Sequence, residues 1–416
     1  MIEEWELMQI RDWGTVDAGR QRSFKITAGT MRPYLRVANV FDGFIDTSDV
    51  LQMPFSNKEF EKYKLIPGDI LLNEGQSLEL IGRSSIYQGD PPDCAFQNTL
   101  VRFRPGPKCD VEFAHLLFQH LQYTGKLSAV AKQTTSIAHL GVNRFADLWI
   151  KVPNIEEQRR ISNILIKWNR AIALTEKLIA VKRRLKQGLM QQLLTGKRRF
   201  LGFENDGSKQ EIQIGEVPSD WKAVKIGKVA HEISERAAPE GTPVLSCTKY
   251  DGLVSSLEYF GRQVFGNNLD NYKVVKRKQF AYATNHIEEG SIGLLRDFDV
   301  GLVSPMYTVF GLTTEMVDPE FLFAVLKTET YRRLFEALTS ASVNRRGSLR
   351  WPVFSKIVVA IPSLPEQQKI MSVLKAVDRE VELLEEQLRL LKLQKRGLMQ
   401  KLLTGDIRIP ILDDAA

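Results

Sequence analysis

Five histidines, three cysteines and one Asp-Pro-Pro-Asp run are the residues of this 416-residue chain that could organise catalysis. Asp90-Pro91-Pro92-Asp93 is one residue short of the Asp/Asn-Pro-Pro-aromatic signature of amino-methyltransferases. Asp93 stands where a ring would stack on a flipped base, and no glycine-rich cofactor loop follows an upstream strand, so the run reads as a surface turn. His115, His120, His139, His231 and His286 have no metal-ligand spacing with one another or with Cys94, Cys109 and Cys247. His115 and His120 lie five apart on a predicted helix and do not share a face. No G-x-x-x-x-G-K-[ST] loop is present to cradle ATP phosphates, and no Ser/His/Asp set sits at a recognisable turn. No catalytic, cofactor-binding or metal residue is assigned.

Other clusters suit a polyanion. Arg20, Arg22 and Lys25 flank Phe24; Lys132, Gln133, Thr134 and Ser136 form a polar run; Asn344, Arg345, Arg346 and Arg350 follow Ser342. Arginine and lysine match guanine edges and phosphates, while asparagine and glutamine match adenine. A solvated surface loop is the plainer reading of each. Lys182-Arg183-Arg184 and Lys197-Arg198-Arg199 have three readings: facing a nucleic-acid backbone, binding an acidic partner surface, or standing in solvent.

These side chains need a scaffold, and its size is bounded by composition. With 416 residues, 43% hydrophobic and 26% charged, the chain suggests a soluble globular protein of two to four domains. No apolar run reaches membrane-spanning length, and the acidic start Met1 to Ile10 lacks the pattern of a signal peptide. Three scattered cysteines fit a reducing compartment, so the cytoplasm is expected. The net charge of +7 is concentrated: residues 153–205 carry 12 basic and 4 acidic side chains, while residues 1–152, 206–357 and 358–416 are close to neutral.

An internal repeat decides the architecture. Gly188 to Gly196 reads GLMQQLLTG and Gly397 to Gly405 reads GLMQKLLTG, 209 residues apart. The same offset carries Pro153 onto Pro362, Glu157 onto Glu366, Gln158 onto Gln367, Asp42-Gly43 onto Asp251-Gly252 and Tyr63-Lys64 onto Tyr272-Lys273. Trp5 to Ile10 resembles Trp221 to Ile226 at an offset of 216. Each half therefore reads as a Trp-containing opening, a variable domain and a long helix: 1–152 and 206–357 for the domains, 153–205 and 358–416 for the helices.

Asn154 with Glu157, and Ser363 with Glu366, predict helix caps; Gly196 and Gly405 predict helix stops. About 41 residues between these signals give helices of roughly 60 Å. Apolar residues recur at alternating four- and three-residue spacing. The second stripe is Ile370, Leu374, Val377, Val381, Leu384, Leu388, Leu391, Lys395, Leu398 and Leu402. The first is Ile161, Leu165, Trp168, Ile172, Thr175, Ile179, Lys182, Lys186, Leu189 and Leu193. This spacing predicts a coiled-coil seam, simplest as an intrachain antiparallel pair with pseudo-twofold symmetry, a parallel intermolecular pair being the alternative. The variable domains read as α+β, with strands at Tyr34–Val40, Asp69–Leu72, Asn98–Phe103, Val244–Thr248, Gln279–Ala283 and Tyr307–Phe310. Phe113–Leu121 and Glu320–Lys327 read as short helices.

Taken together, Pro153 through Glu157-Gln158 to the LLTG at 193–196, its duplicate ending at 402–405, and VPSDW at 217–221 resemble the specificity subunits of type I restriction–modification enzymes. The resemblance covers essentially the whole chain, although only four residues precede Trp5, so the first copy is expected to match only part of the opening motif. It implies two target-recognition domains held apart by two antiparallel helices, each domain reading one half of an interrupted site in double-stranded DNA. It further implies that the helices set the spacing and dock two methyltransferase subunits, with restriction subunits joining. S-adenosylmethionine, ATP and magnesium would then belong to those partners and not to this chain. If helix length sets the spacing, inserting four residues near Thr195 should change the preferred spacer. The alternative is a duplicated coiled-coil scaffold that binds protein without reading DNA.

Overall fold

The computed structural model describes residues 4–21, 29–133, 137–236, 238–249, 252–340 and 348–409. Two compact units emerge: Met1–Glu176 with Glu386–Ala416, and Lys177–Glu385. Each unit combines one of the variable domains with parts of both long helices. Neither long helix stands as a segment of its own, because the ends of each are packed into domain cores.

In the first unit, strands Gly14–Ala18, Leu100–Pro105, Ile70–Asn73 and Ser84–Ile86 lie side by side in that order, all antiparallel. A second sheet pairs Thr30–Leu35 with Leu51–Phe55 antiparallel and with Ala95–Phe96 in parallel. The helix Val111–Tyr123, capped by Asp110 accepting from the Phe113 N–H at 2.9 Å, covers the first sheet. Trp13, Phe103, Phe113 and Phe118 meet there edge to face or tilted, a geometry favoured by the ring quadrupole.

The second unit repeats the plan. Ala230–Ile233, Tyr307–Leu312, Phe280–Ala283 and Ile292–Leu294 give the same strand order with the same antiparallel sense. The helix Pro319–Leu326 is capped by Asp318, which accepts from the Phe321 N–H at 3.0 Å. Each unit also closes with a two-stranded ribbon, Glu6–Gln9 against Trp149–Val152 and Lys222–Lys225 against Val358–Ile361. The second unit adds a hairpin, Lys209–Ile212 with Gly215–Pro218.

The expected strand Tyr34–Val40 ends early, at Leu35. Asn39 forces the turn: its Oδ1 accepts from the Arg36 N–H at 3.1 Å, and its amide donates to the carbonyls of Asp46 and Asp49. The other five predicted strands and both short helices are present.

The long helices span Ile155–Leu193 and Leu364–Thr404. None of the twenty stripe positions read from the sequence is exposed, which is what a covered seam requires. In the first unit Ile161 and Leu165 share a core with Met399, Leu402 and Leu403. In the second, Leu193 and Leu194 share one with Ile370, Met371 and Leu374. Within each unit the pairing is antiparallel and intrachain. Glu157 meets Arg408 and Glu176 meets Lys392 in the first; Lys182 meets Glu380 and Lys186 meets Asp378 in the second.

Candidate nucleic-acid interface

The two polar loops singled out for base reading are anchored alike. The backbone N–H of Leu140, fully buried, donates to the Glu74 carbonyl at 2.8 Å; that of Leu349, 1% exposed, donates to the Thr284 carbonyl at the same distance. Leu140 and Leu349 are 209 residues apart, so the duplication gives these two positions the same kind of backbone anchor. Lys132 and Gln133 form a short exposed strand paired with Ala138–His139, which in turn pairs with Gly75–Gln76. Arg350 is exposed at the start of the short helix Trp351–Phe354. Arg22, Lys25, Thr134, Ser136, Asn344, Arg345 and Arg346 lie outside the described residues.

Arg20 turns out to be structural. It is 6% exposed, its guanidinium lies 4.5 Å over the Phe55 ring, and it donates to the Pro54 carbonyl. Its second amine sits 3.2 Å from Glu59, whose carboxyl is held below its usual range first by the Ser56 backbone N–H and only secondarily by Arg20. A guanidinium so engaged is not presented to a base edge.

Half of the basic side chains in the two stretches are also committed to intrachain ion pairs. Lys182 and Arg183 form ion pairs with Glu380 and Glu385 inside the second unit, while Arg184 remains exposed. In the other stretch Lys197 and Arg198 are exposed, but Arg199 is inserted between two carboxylates. None of the three readings drawn from sequence included such intrachain pairing.

Arg199 explains an identity that the sequence displays without its reason. Its guanidinium donates to both oxygens of Glu366 at 2.8 Å and to both oxygens of Asp220 at 2.8 and 2.9 Å. In the first unit Arg408 donates to both oxygens of Glu157 at 2.7 Å. Arg199 and Arg408 are 209 apart, as are Glu157 and Glu366. Each arginine's pKa is raised, first by its hydrogen bonds to the glutamate, so each stays charged. The glutamate expected to complete a capping box therefore turns outward to an arginine beyond the opposite helix's end. The Asn154 Oδ1 still accepts from the Glu157 N–H at 3.0 Å. The adjacent glutamines act alike: Gln158 bridges the Asp110 N–H and the carbonyls of Lys108 and Pro153, and Gln367 bridges the Asp318 N–H and those of Met316 and Pro362.

The helix stops fit the same scheme. Gly196 and Gly405 have φ of 68° and 80°, the left-handed region where glycine is unstrained. Added Cβ atoms would lie 3.2 Å from the Trp221 ring and 3.4 Å from the Trp5 ring, so the opening tryptophan of each half seats on a helix stop.

One departure from symmetry sits in the first unit. Lys395 matches Lys186 by the offset, but Asn169 stands where Asp378 would supply its partner. Lys395 lines a polar cavity of about 620 Å³ with Asp42, His115, Gln119, Tyr123 and Asn169, and burial lowers its pKa. Asp42 there accepts from Gln119 at 2.7 Å and from the Tyr123 hydroxyl.

Comparison with known proteins agrees with this architecture. Residues 2–183 and 218–393 each match the family described as type I restriction modification DNA specificity domain. A putative type I restriction enzyme MjaX specificity subunit from Methanocaldococcus jannaschii is 26% identical, over 98% of this chain and 94% of its own length. The type I restriction enzyme MjaVIII specificity subunit of that organism is 25% identical over 99% and 95%. Among solved structures, a chain from work on complex assembly and conformational transition of the type I R-M system superposes with a TM-score of 0.60 at 15% identity. That match spans 97% of this chain and 98% of the other, and it supports the shared fold.

Proposed function

Because the chain belongs to the type I restriction modification DNA specificity family, we propose that each of its two units reads one half of an interrupted site in double-stranded DNA. In this reading the chain is non-catalytic and works in the cytoplasm. S-adenosylmethionine, ATP and magnesium serve methyltransferase and restriction subunits that bind to it, and the long helices set the distance between half-sites. The observation that carries the reading is the duplication in structure: one strand order, one cap, one glutamate–arginine clasp and one loop anchor, each present twice. Two copies of one reader with different loop side chains suit a site of two unlike halves.

Two partner subunits of one kind would need two equivalent seats. The first unit exposes Leu174 at 57% and Leu390 at 40%; the second exposes Leu383 at 54% and Val181 at 53%. These pairs are related by the same offset, 174 to 383 and 181 to 390. Exposed apolar side chains at matched helix positions support docking of two methyltransferase subunits.

The test is selection from random duplex DNA by the chain assembled with its methyltransferase subunit, followed by sequencing. A two-part consensus with a fixed gap is expected. Recovery of no consensus, with the complex intact, would favour the scaffold reading instead. No helix among the described residues is long and apolar enough to cross a membrane.

A further inference from the structure

The interval between the shared Asp-Gly and Tyr-Lys anchors has the same length in both units, yet the two units fold it differently. In the first unit it forms strand Leu51–Phe55 and a helix Asn57–Tyr63 fixed by a capping box between Ser56 and Glu59. Its ring side chains Phe55 and Phe60 are 1% and 6% exposed. In the second unit the same interval makes a strand, Gly252–Ser255, a short helix, Ser256–Phe260, and then a loop, and every residue from Leu257 to Val264 is exposed. Leu257, Tyr259, Phe260 and Val264 are between 46% and 55% exposed.

This run is held in place at both ends. Ser256 is 1% exposed, with its hydroxyl 2.7 Å from that of Ser246 and its backbone N–H on the Val244 carbonyl. Beyond the run, Phe265 and Leu269 pack on Val244, Val274 and Leu302. The Gln263 amide donates to the Phe265 carbonyl and the Asn267 Oδ1, tying the turn to its base. Tyr259 and Phe260 meet edge to face with centroids 5.0 Å apart. A surface loop ordered this way presents apolar side chains to solvent from a fixed platform, which lowers the entropic cost of contact with a ligand.

We infer that the exposed run Leu257–Val264, with the turn that follows it to Asn268, is a base-reading element of the second unit, contacting DNA through Tyr259, Phe260, Arg262 and Asn268. The inference rests on the proposed reading of one half-site by each unit. What selects DNA over a protein partner is the duplication. Features present in both units, such as the buried clasps and the exposed helix positions, serve what both units have in common. Two readers of one fold that recognise unlike half-sites must differ on the face that meets the bases. In this run equal lengths of chain differ both in fold and in exposure. Its chemistry suits groove contact: Arg262 for guanine, Asn268 for adenine, and apolar side chains for a thymine methyl or a wedge at a base step. Its charged residues, Glu258 and Arg262, offset one another, so the run contributes base contacts and leaves phosphate attraction to other segments.

The experiment uses the full chain in complex with its methyltransferase subunits, as wild type, as Y259A/F260A and as R262A. Each complex selects from a pool of random duplex DNA, and the selected sites are then bound as defined duplexes. The expected result is that each variant assembles normally and keeps one half of the two-part site, while preference in the other half falls about tenfold or more, the scale of one mismatched pair. Unchanged selection in both halves by both variants overturns the inference while leaving the two-part reading intact. Loss of methyltransferase binding with the DNA preference unaltered also overturns it, and assigns the run to a protein contact. A wild-type complex that selects no two-part site defeats the underlying reading, and the inference with it. Because the substituted side chains are exposed, a circular-dichroism melt matching wild type is expected, and L257S serves as a third surface variant if either unfolds.

Discussion

Arg199→Met should destabilise the second unit far more than loss of a surface ion pair would. The Arg199 side chain is 8% exposed and the Glu366 side chain 1%. With the arginine gone, a carboxylate that held two 2.8 Å hydrogen bonds is left in a nearly dry site. Breaking a buried pair from one side costs about 3–5 kcal/mol, whereas Asp220, 45% exposed, adds less than about 1 kcal/mol. Removing both partners as Arg199→Met with Glu366→Gln should recover much of the loss, since no buried charge remains. A double-mutant cycle is therefore expected to show coupling of about 2–3 kcal/mol. Arg389 and Glu386, 63% and 53% exposed, provide the control and should couple by less than about 0.5 kcal/mol. Urea unfolding read by hydrogen exchange separates the units, with protection in residues 364–385 reporting the second. If Arg199→Met costs no more than Arg389→Ala, the clasp is not a buried electrostatic contact and the explanation of the repeated Glu-Gln fails.

Further expectations follow from the same geometry. Gln158→Leu removes an amide that serves three backbone groups and should cost the first unit about 3 kcal/mol by urea unfolding, while leaving the second unit unchanged. Lys132→Ala and Arg350→Ala should each reduce the slope of log K against log salt by about 1 in a DNA-binding titration, if each neutralises one phosphate. Leu174→Asp together with Leu390→Asp should leave one methyltransferase subunit bound per chain in place of two, measured by native mass spectrometry. Burial lowers the pKa of His115 below its ordinary 6.5, so the folded first unit resists a proton that the unfolded chain accepts. Stability of that unit should therefore fall as pH drops below about 6.5, and His115→Gln should flatten that dependence in acid melts.

The long helices were legible because periodicity and caps are local: a seven-residue rhythm, an Asn or Ser before Glu, and a glycine stop. The strand at Tyr34 was overextended because the Asn39 turn depends on carbonyls of Asp46 and Asp49, which periodicity does not register. Glu157 and Gln158 were visible as repeated residues, but their role was not, since the Arg408 that meets Glu157 lies 251 positions away. Arg20 looked like a nucleic-acid arginine beside an aromatic; its guanidinium lies over Phe55, 35 positions along the chain, a fact of tertiary folding alone. Nothing in the sequence pattern singled out Tyr259 and Phe260, because their exposure is set by the fold.

The first unit is assembled from chain segments far apart in synthesis, whereas Lys177–Glu385 is continuous. On the ribosome the second unit can close as soon as it emerges, while the first waits for Met399, Leu402 and Leu403 to cover Ile161 and Leu165. The earlier-made half is thus the last to finish. A ribosome stalled before residue 386 would release a protein with one sealed half and one open core, a natural substrate for chaperones and proteases.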